Sequence, residues 1–130
     1  MAKIRIIDDD VEQSACLSEV LRRAGHEVTT FDRIAGALES LEGDRPDLVV
    51  LDVMFPENVS GGLELAIKIR QNDKTKHLPV ILLTNINKEF AAGFSSKDID
   101  PQWMPVQTFL EKPVDFQMLL RKVEELVKKP

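Results

Sequence analysis

Two stretches of this chain, Leu48-Val49-Val50-Leu51 and Val80-Ile81-Leu82-Leu83, are apolar at every position. A strand with one wet face alternates apolar and polar residues, whereas a short run that is apolar throughout is covered on both faces. Covering both faces of a sheet requires helices on each side of it. That arrangement goes with parallel strands joined by helical crossovers.

The rest of the chain supplies the crossovers. Lys3-Ile4-Arg5-Ile6-Ile7 reads as a first strand. A helix is predicted over Val11 to Ala24, with Leu17, Val20, Leu21 and Ala24 at helical spacing and Gly25 as its stop. A second strand is predicted over His26 to Thr30. Ile34, Ala37, Leu38 and Leu41 mark a second helix that stops near Gly43. Asp47 to Asp52 is a third strand, Gly62 to about Arg70 a third helix, Pro79 to Thr84 a fourth strand and Val106 to Leu110 a fifth. Phe116, Leu119, Leu120, Val123 and Val127 form one face of a last helix, and a short helix fits around Glu89 to Phe94. The second and fifth strands mix polar and apolar residues, as edge strands do. The expected fold is therefore α/β: a flavodoxin-like, doubly wound, five-stranded parallel sheet of order 2-1-3-4-5, with helices on both faces and residues 1–130 in one domain. Ligands of such sheets bind at the carboxyl ends of the strands, beside the switch point between strands one and three.

Composition narrows the function classes. Charged residues make up 30% of the chain and the formal net charge is -5, which argues against a direct nucleic-acid-binding surface. The single cysteine, Cys16, excludes an internal disulfide and is expected as a small buried hydrophobe. No secretory signal and no apolar run of about 20 residues is present, so a cytoplasmic location is expected. His26 and His77 show no metal-ligand spacing with each other or with Cys16; surface or edge positions are expected for both. Gly61-Gly62 lacks the lysine and hydroxyl residue of a P-loop and reads as loop closure.

The predicted strand ends carry the chemistry. Strand one runs into Asp8-Asp9-Asp10, strand three ends in Asp52, strand four in Thr84, and strand five is followed by Glu111-Lys112-Pro113. Singly these residues are ordinary, and Asp10 suits an N-cap. Together they aim acids, a hydroxyl and an ammonium at one end of the sheet. Clustered carboxylates repel one another and suit a hard cation such as Mg²⁺. A carboxylate beside such a cation and a lysine is equipped to attack phosphorus and form an aspartyl phosphate.

The segments Ile6-Ile7-Asp8-Asp9-Asp10, Leu48-Val49-Val50-Leu51-Asp52-Val53-Met54-Phe55-Pro56, Leu82-Leu83-Thr84 and Phe109-Leu110-Glu111-Lys112-Pro113, in this order and at these spacings, resemble the receiver domains of two-component response regulators over nearly the whole chain. The resemblance implies Asp52 as phosphoacceptor. It implies Asp9, Asp52 and the backbone carbonyl of Met54 as Mg²⁺ ligands, with Asp8 acting on the metal through water. It implies Thr84 and Lys112 as ligands of the phosphoryl oxygens, Phe109 as the aromatic whose rotamer changes on activation, and a cis bond at Lys112-Pro113. The donor would be the phosphohistidine of a sensor histidine kinase or phosphotransfer protein, and the output a downstream protein target. Beyond slow self-modification and hydrolysis, no enzyme activity is expected.

Two departures from the family stand out. Asn85 follows Thr84 where a small residue is usual, and an altered lifetime of the phosphorylated form is expected from it. More residues than usual separate Thr84 from Lys112, and the extra length carries Phe90, Phe94, Ile99, Trp103 and Met104. These residues are expected either to pack under a long loop or to form a patch that sets partner choice. Competing readings are a receiver-like interaction module that is never phosphorylated and a haloacid-dehalogenase-like phosphohydrolase. The hydrolase needs an acid two places after its nucleophile, where this chain has Met54.

Overall fold

The computed structural model describes residues 2–53, 55, 61–84, 108–111 and 114–127. Five strands, β1 (Lys3–Ile7), β2 (Glu27–Phe31), β3 (Leu48–Asp52), β4 (Val80–Thr84) and β5 (Thr108–Glu111), form one sheet in the order β2-β1-β3-β4-β5. All four pairings are parallel, with Ile7 opposite Phe31 and Leu51, Asp52 opposite Leu83, and Thr84 opposite Glu111. Every strand thus ends on the same edge, and the expected order is the observed one.

Strand alternation divides the core in two. Ile7, Val49, Leu51, Val80 and Leu82 face helices α2 (Ala37–Asp44) and α3 (Gly61–Gln71), where Leu41, Leu65, Ala66 and Ile69 cover them. Ile4, Ile6, Leu48, Val50, Ile81 and Leu83 face helix α1 (Val11–Arg23) and the final described helix (Phe116–Val127), through Leu17, Leu21, Leu119 and Val123. The apolar runs of β3 and β4 are buried on both faces because helices lie on both.

Boundaries differ where local chemistry overrides periodicity. α1 gives way at Ala24, whose N–H bonds back to Leu21, and Gly25 follows at φ 97. β2 begins one residue later than expected, since Glu27, not His26, pairs with Lys3. α2 starts only at Ala37 because Gly36 is left-handed at φ 81. Ile34 still packs on the core from outside the helix. α2 also runs through Gly43 to Asp44, with Arg45 as its C-cap ahead of Pro46, which cannot continue a helix. Asp115 caps the final described helix by accepting hydrogen bonds from the Gln117 and Met118 amides at 2.9 and 3.2 Å. Phe116, expected on its apolar face, is 41% exposed in the first turn. The helix predicted near residues 89–94 lies outside the described residues, as do Val106 and Gln107 of the expected fifth strand.

Cys16 departs from expectation, and two polar side chains are buried. Cys16 is exposed, because the buried stripe of α1 runs through Ser14, Leu17, Ser18 and Leu21 and leaves Cys16 to one side. His26, expected at the surface or an edge, sits next to the edge strand β2 but is buried. Its Nδ1 accepts the Ala2 amide at 3.1 Å, and its Nε2 lies 3.7 Å from Glu124 of the final described helix. Arg5 occupies a buried position on β1, 3% exposed. Its Nε donates to Thr29 Oγ1 at 2.7 Å, and its guanidinium also donates to Ser40 Oγ and Asp44 Oδ2 of α2. A buried charge is tolerated only when paired and hydrogen-bonded, so this fork fixes α2 against the sheet.

Asp44→Ala removes the carboxylate while Arg5 stays buried. Urea unfolding should show a loss of about 1.5–3 kcal/mol, the usual worth of a hydrogen bond to a charged group. The double variant Arg5→Leu/Asp44→Ala should regain part of that loss, because no charge then stays buried.

Candidate functional site

The site is assembled by register. β1 and β3 are neighbours in the sheet and end together, Ile7 beside Leu51, so the residues that follow them meet. Asp8, Asp9 and Asp52 each bring a carboxylate oxygen within 4.8 Å of the others. Asp8 is 1% and Asp52 3% exposed, whereas Asp9 is half-buried. Two unit charges at that spacing repel by about 3–4 kcal/mol at an effective dielectric constant of about 20. An all-oxygen, all-anionic donor set of this kind fits a hard divalent cation.

The backbone around the acids is tied on every side. The Asp8 amide donates to the Phe31 carbonyl at 3.0 Å, joining the site to the end of β2, and the Val53 amide donates to the Leu83 carbonyl at 3.2 Å. Asp10, as expected, is the N-cap of α1; its Oδ1 accepts the Gln13 amide at 3.1 Å. Asp8 uses both carboxylate oxygens. Oδ1 accepts the Asp10 amide at 2.9 Å and Oδ2 accepts Gln13 Nε2 at 2.5 Å.

Gly62, expected only to close a loop, presses against Asp52. Its amide donates to the Val53 carbonyl at 2.8 Å. A Cβ at this position would lie 1.8 Å from the Asp52 carbonyl oxygen and 2.7 Å from the Val53 Cα. Only glycine lets the start of α3 approach the end of β3 so closely.

The structure therefore brings together Asp8, Asp9 and Asp52. Thr84 ends β4 and Phe109 lies in β5 opposite Leu82; their side chains, together with Met54, Asn85, Lys112 and Pro113, lie outside the described residues, as do Phe90, Phe94, Ile99, Trp103 and Met104. An open groove of about 1160 Å³ leads away from Asp8 between α1, at Val11, Ala15 and Ser18, and the end of β2 with the residues after it, at Phe31 and Arg33. On its rim the Arg33 guanidinium, through a hydrogen bond and its charge, holds the Asp32 carboxyl below the usual carboxylate range.

Gln13 was not among the residues expected at the site. Asp10-x-x-Gln13 has the form of a capping box, in which the N3 side chain returns to the N-cap amide. Here Asp8 takes that amide, and Gln13 turns to Asp8 instead.

Comparison with known proteins agrees with this fold. The family model described as response regulator receiver domain matches residues 4–124. The DNA-binding dual master transcriptional regulator RpaA of Synechocystis sp. is 31% identical over 132 residues, 99% of this chain and 50% of that protein. Protein PilH of Pseudomonas aeruginosa is 25% identical over 98% of each chain. The structure of the Vibrio cholerae chemotaxis protein CheY4 superposes with a TM-score of 0.78 at 26% identity, covering 97% of this chain and 98% of that one. This chain spans about half the length of RpaA and of the Rhizobium meliloti phosphate regulon regulator PhoB.

Gly62→Ala should force the start of α3 away from Asp52. Since the obstructing atoms are backbone, urea unfolding should show a loss of about 2–3 kcal/mol, at the upper end of overpacking costs. Gly43→Ala, where an added Cβ meets nothing within 4 Å, should cost nothing.

Proposed function

Because this chain belongs to the family of response regulator receiver domains, we propose that it is the phosphoryl-accepting switch of a two-component system, with Asp52 as the acceptor. The observation that carries this reading is the position of Asp52: buried at the end of β3, with a carboxylate oxygen within 4.8 Å of those of Asp8 and Asp9. Receiver domains are signalling modules. The chemistry assigned to this chain is limited to its own phosphorylation and slow hydrolysis of the product.

Asp9, Asp52 and the backbone carbonyl of Met54 would hold Mg²⁺, with Asp8 acting through water. When bound, the cation offsets charge on the phosphoryl oxygens. An Asp52 carboxylate oxygen forms a bond to the phosphorus of a donor phosphohistidine. The P–N bond breaks, its electron pair stays on the imidazole, which takes up a proton, and an acyl phosphate remains on Asp52. The Lys112 ammonium and the Thr84 hydroxyl hold phosphoryl oxygens. The response passes from Thr84 to Phe109 in β5 and to the segment over residues 85–105, where a downstream protein target reads it.

The donor is a sensor histidine kinase or a phosphotransfer protein, and the groove that opens at Asp8 leaves room for it to approach. Among the described residues no helix is long and apolar enough to cross a membrane, in keeping with a place in the cytoplasm beside such a donor. The DNA binding named for RpaA belongs to that longer protein; the acidic balance of this chain suits protein partners.

Intact mass after incubation with Mg²⁺ and acetyl phosphate tests the reading. Wild type should gain ~80 Da, one phosphoryl group, and Asp52→Ala should gain nothing. No gain in wild type from either acetyl phosphate or a phosphorylated kinase would leave an interaction module that is never phosphorylated.

A further inference from the structure

Gln13 lies one turn into α1, outside the set Asp8, Asp9, Asp52, Met54, Thr84 and Lys112. Two independent hydrogen bonds fix its place. Its backbone amide is held by the Asp10 cap at 3.1 Å, and its side-chain Nε2 meets Asp8 Oδ2 at 2.5 Å. An ionised carboxylate only accepts hydrogen bonds, so the Gln13 amide must present its NH₂ group. We propose that Gln13 is a positioning residue for the cation site: it pins Asp8 Oδ2 and so sets how strongly the acidic cluster takes up a divalent cation. The inference rests on the receiver reading and deepens it.

The sign follows from the charges. Asp8, Asp9 and Asp52 repel one another, and a carboxylate free to turn would turn away from the other two. Asp8 Oδ1 is held by the Asp10 amide and Oδ2 by Gln13. Without Gln13, Oδ2 loses the hydrogen bond that fixes its direction. A cation arriving at that relaxed cluster must first draw Asp8 back. Gln13 holds Oδ2 without occupying every lone pair, since each carboxylate has about four acceptor sites. The remaining sites stay open to cation-bound water. Partners that orient direct ligands from behind commonly change metal affinity by about 10- to 100-fold when removed; Asp8 acts through water, so the lower end of that range is expected for Gln13.

The test is calorimetric titration of metal-free protein with MgCl₂, on wild type, Gln13→Met, Asp8→Ala and the double variant. Gln13→Met keeps the length and helix propensity of the side chain and lacks the donor; Gln13→Leu is a second variant of the same kind. Both should bind Mg²⁺ about tenfold more weakly than wild type. In the Asp8→Ala background the same change should alter affinity less than twofold, because Gln13 acts through Asp8. A role in folding alone would lower the unfolding temperature without this non-additivity. Wild-type affinity in Gln13→Met, or an equal loss in both backgrounds, would overturn the inference and leave the receiver reading standing. Failure of wild type itself to bind Mg²⁺ would overturn both.

Discussion

Three carboxylates within 4.8 Å of one another, two of them almost wholly buried, are the constraint around which this molecule is organised. No gain in stability explains them, since each pair repels and burial worsens the cost of the charge. The fold holds them through parallel pairing. β1 and β3 are locked side by side and buried on both faces, so the residues that follow them cannot separate. The sheet supplies the rigidity, and the acids use it.

The surrounding structure confines the cluster from each direction. The Asp10 cap starts α1 immediately after the acid pair, and Gln13 reaches from its first turn to Asp8. Gly62 brings the start of α3 against the carbonyl of Asp52. Phe55, fully buried, anchors the chain just beyond β3. On the α2 side, Arg5 ties the middle of β1 to Ser40 and Asp44. A receiver that accepts a phosphoryl group on one buried aspartate needs that aspartate to stay in place while charge is added, and these contacts provide it.

Much of this was legible in the sequence because it rests on period and position along the chain. Fully apolar runs at Leu48–Leu51 and Val80–Leu83 announced strands buried on both faces, and the acids at the ends of the first and third strands announced the site. What escaped were contacts made by single atoms across elements. Nothing in the period-two pattern of β1 marks Arg5 as buried, because its partners come from β2 and α2. His26 is buried only because the final described helix and the N-terminal strand close over it. Gly62 read as punctuation, whereas its role is the absence of a Cβ beside another backbone. Gln13 carried a capping-box signal that was present but redirected. Thr84, Lys112, Met54 and Phe109 are assigned through the family resemblance, not from described side-chain positions.

The central claim is that the acidic cluster is an energetic liability retained for its cation. Thermal unfolding of wild type and Asp9→Asn, with EDTA and with Mg²⁺, tests it most directly. In EDTA the variant should unfold at the higher temperature, by about 4 °C for each kcal/mol of repulsion relieved. Added Mg²⁺ should raise the wild-type midpoint in a concentration-dependent way and leave the variant unmoved. A wild-type midpoint indifferent to Mg²⁺, with Asp9→Asn unfolding at or below it in EDTA, would contradict the account.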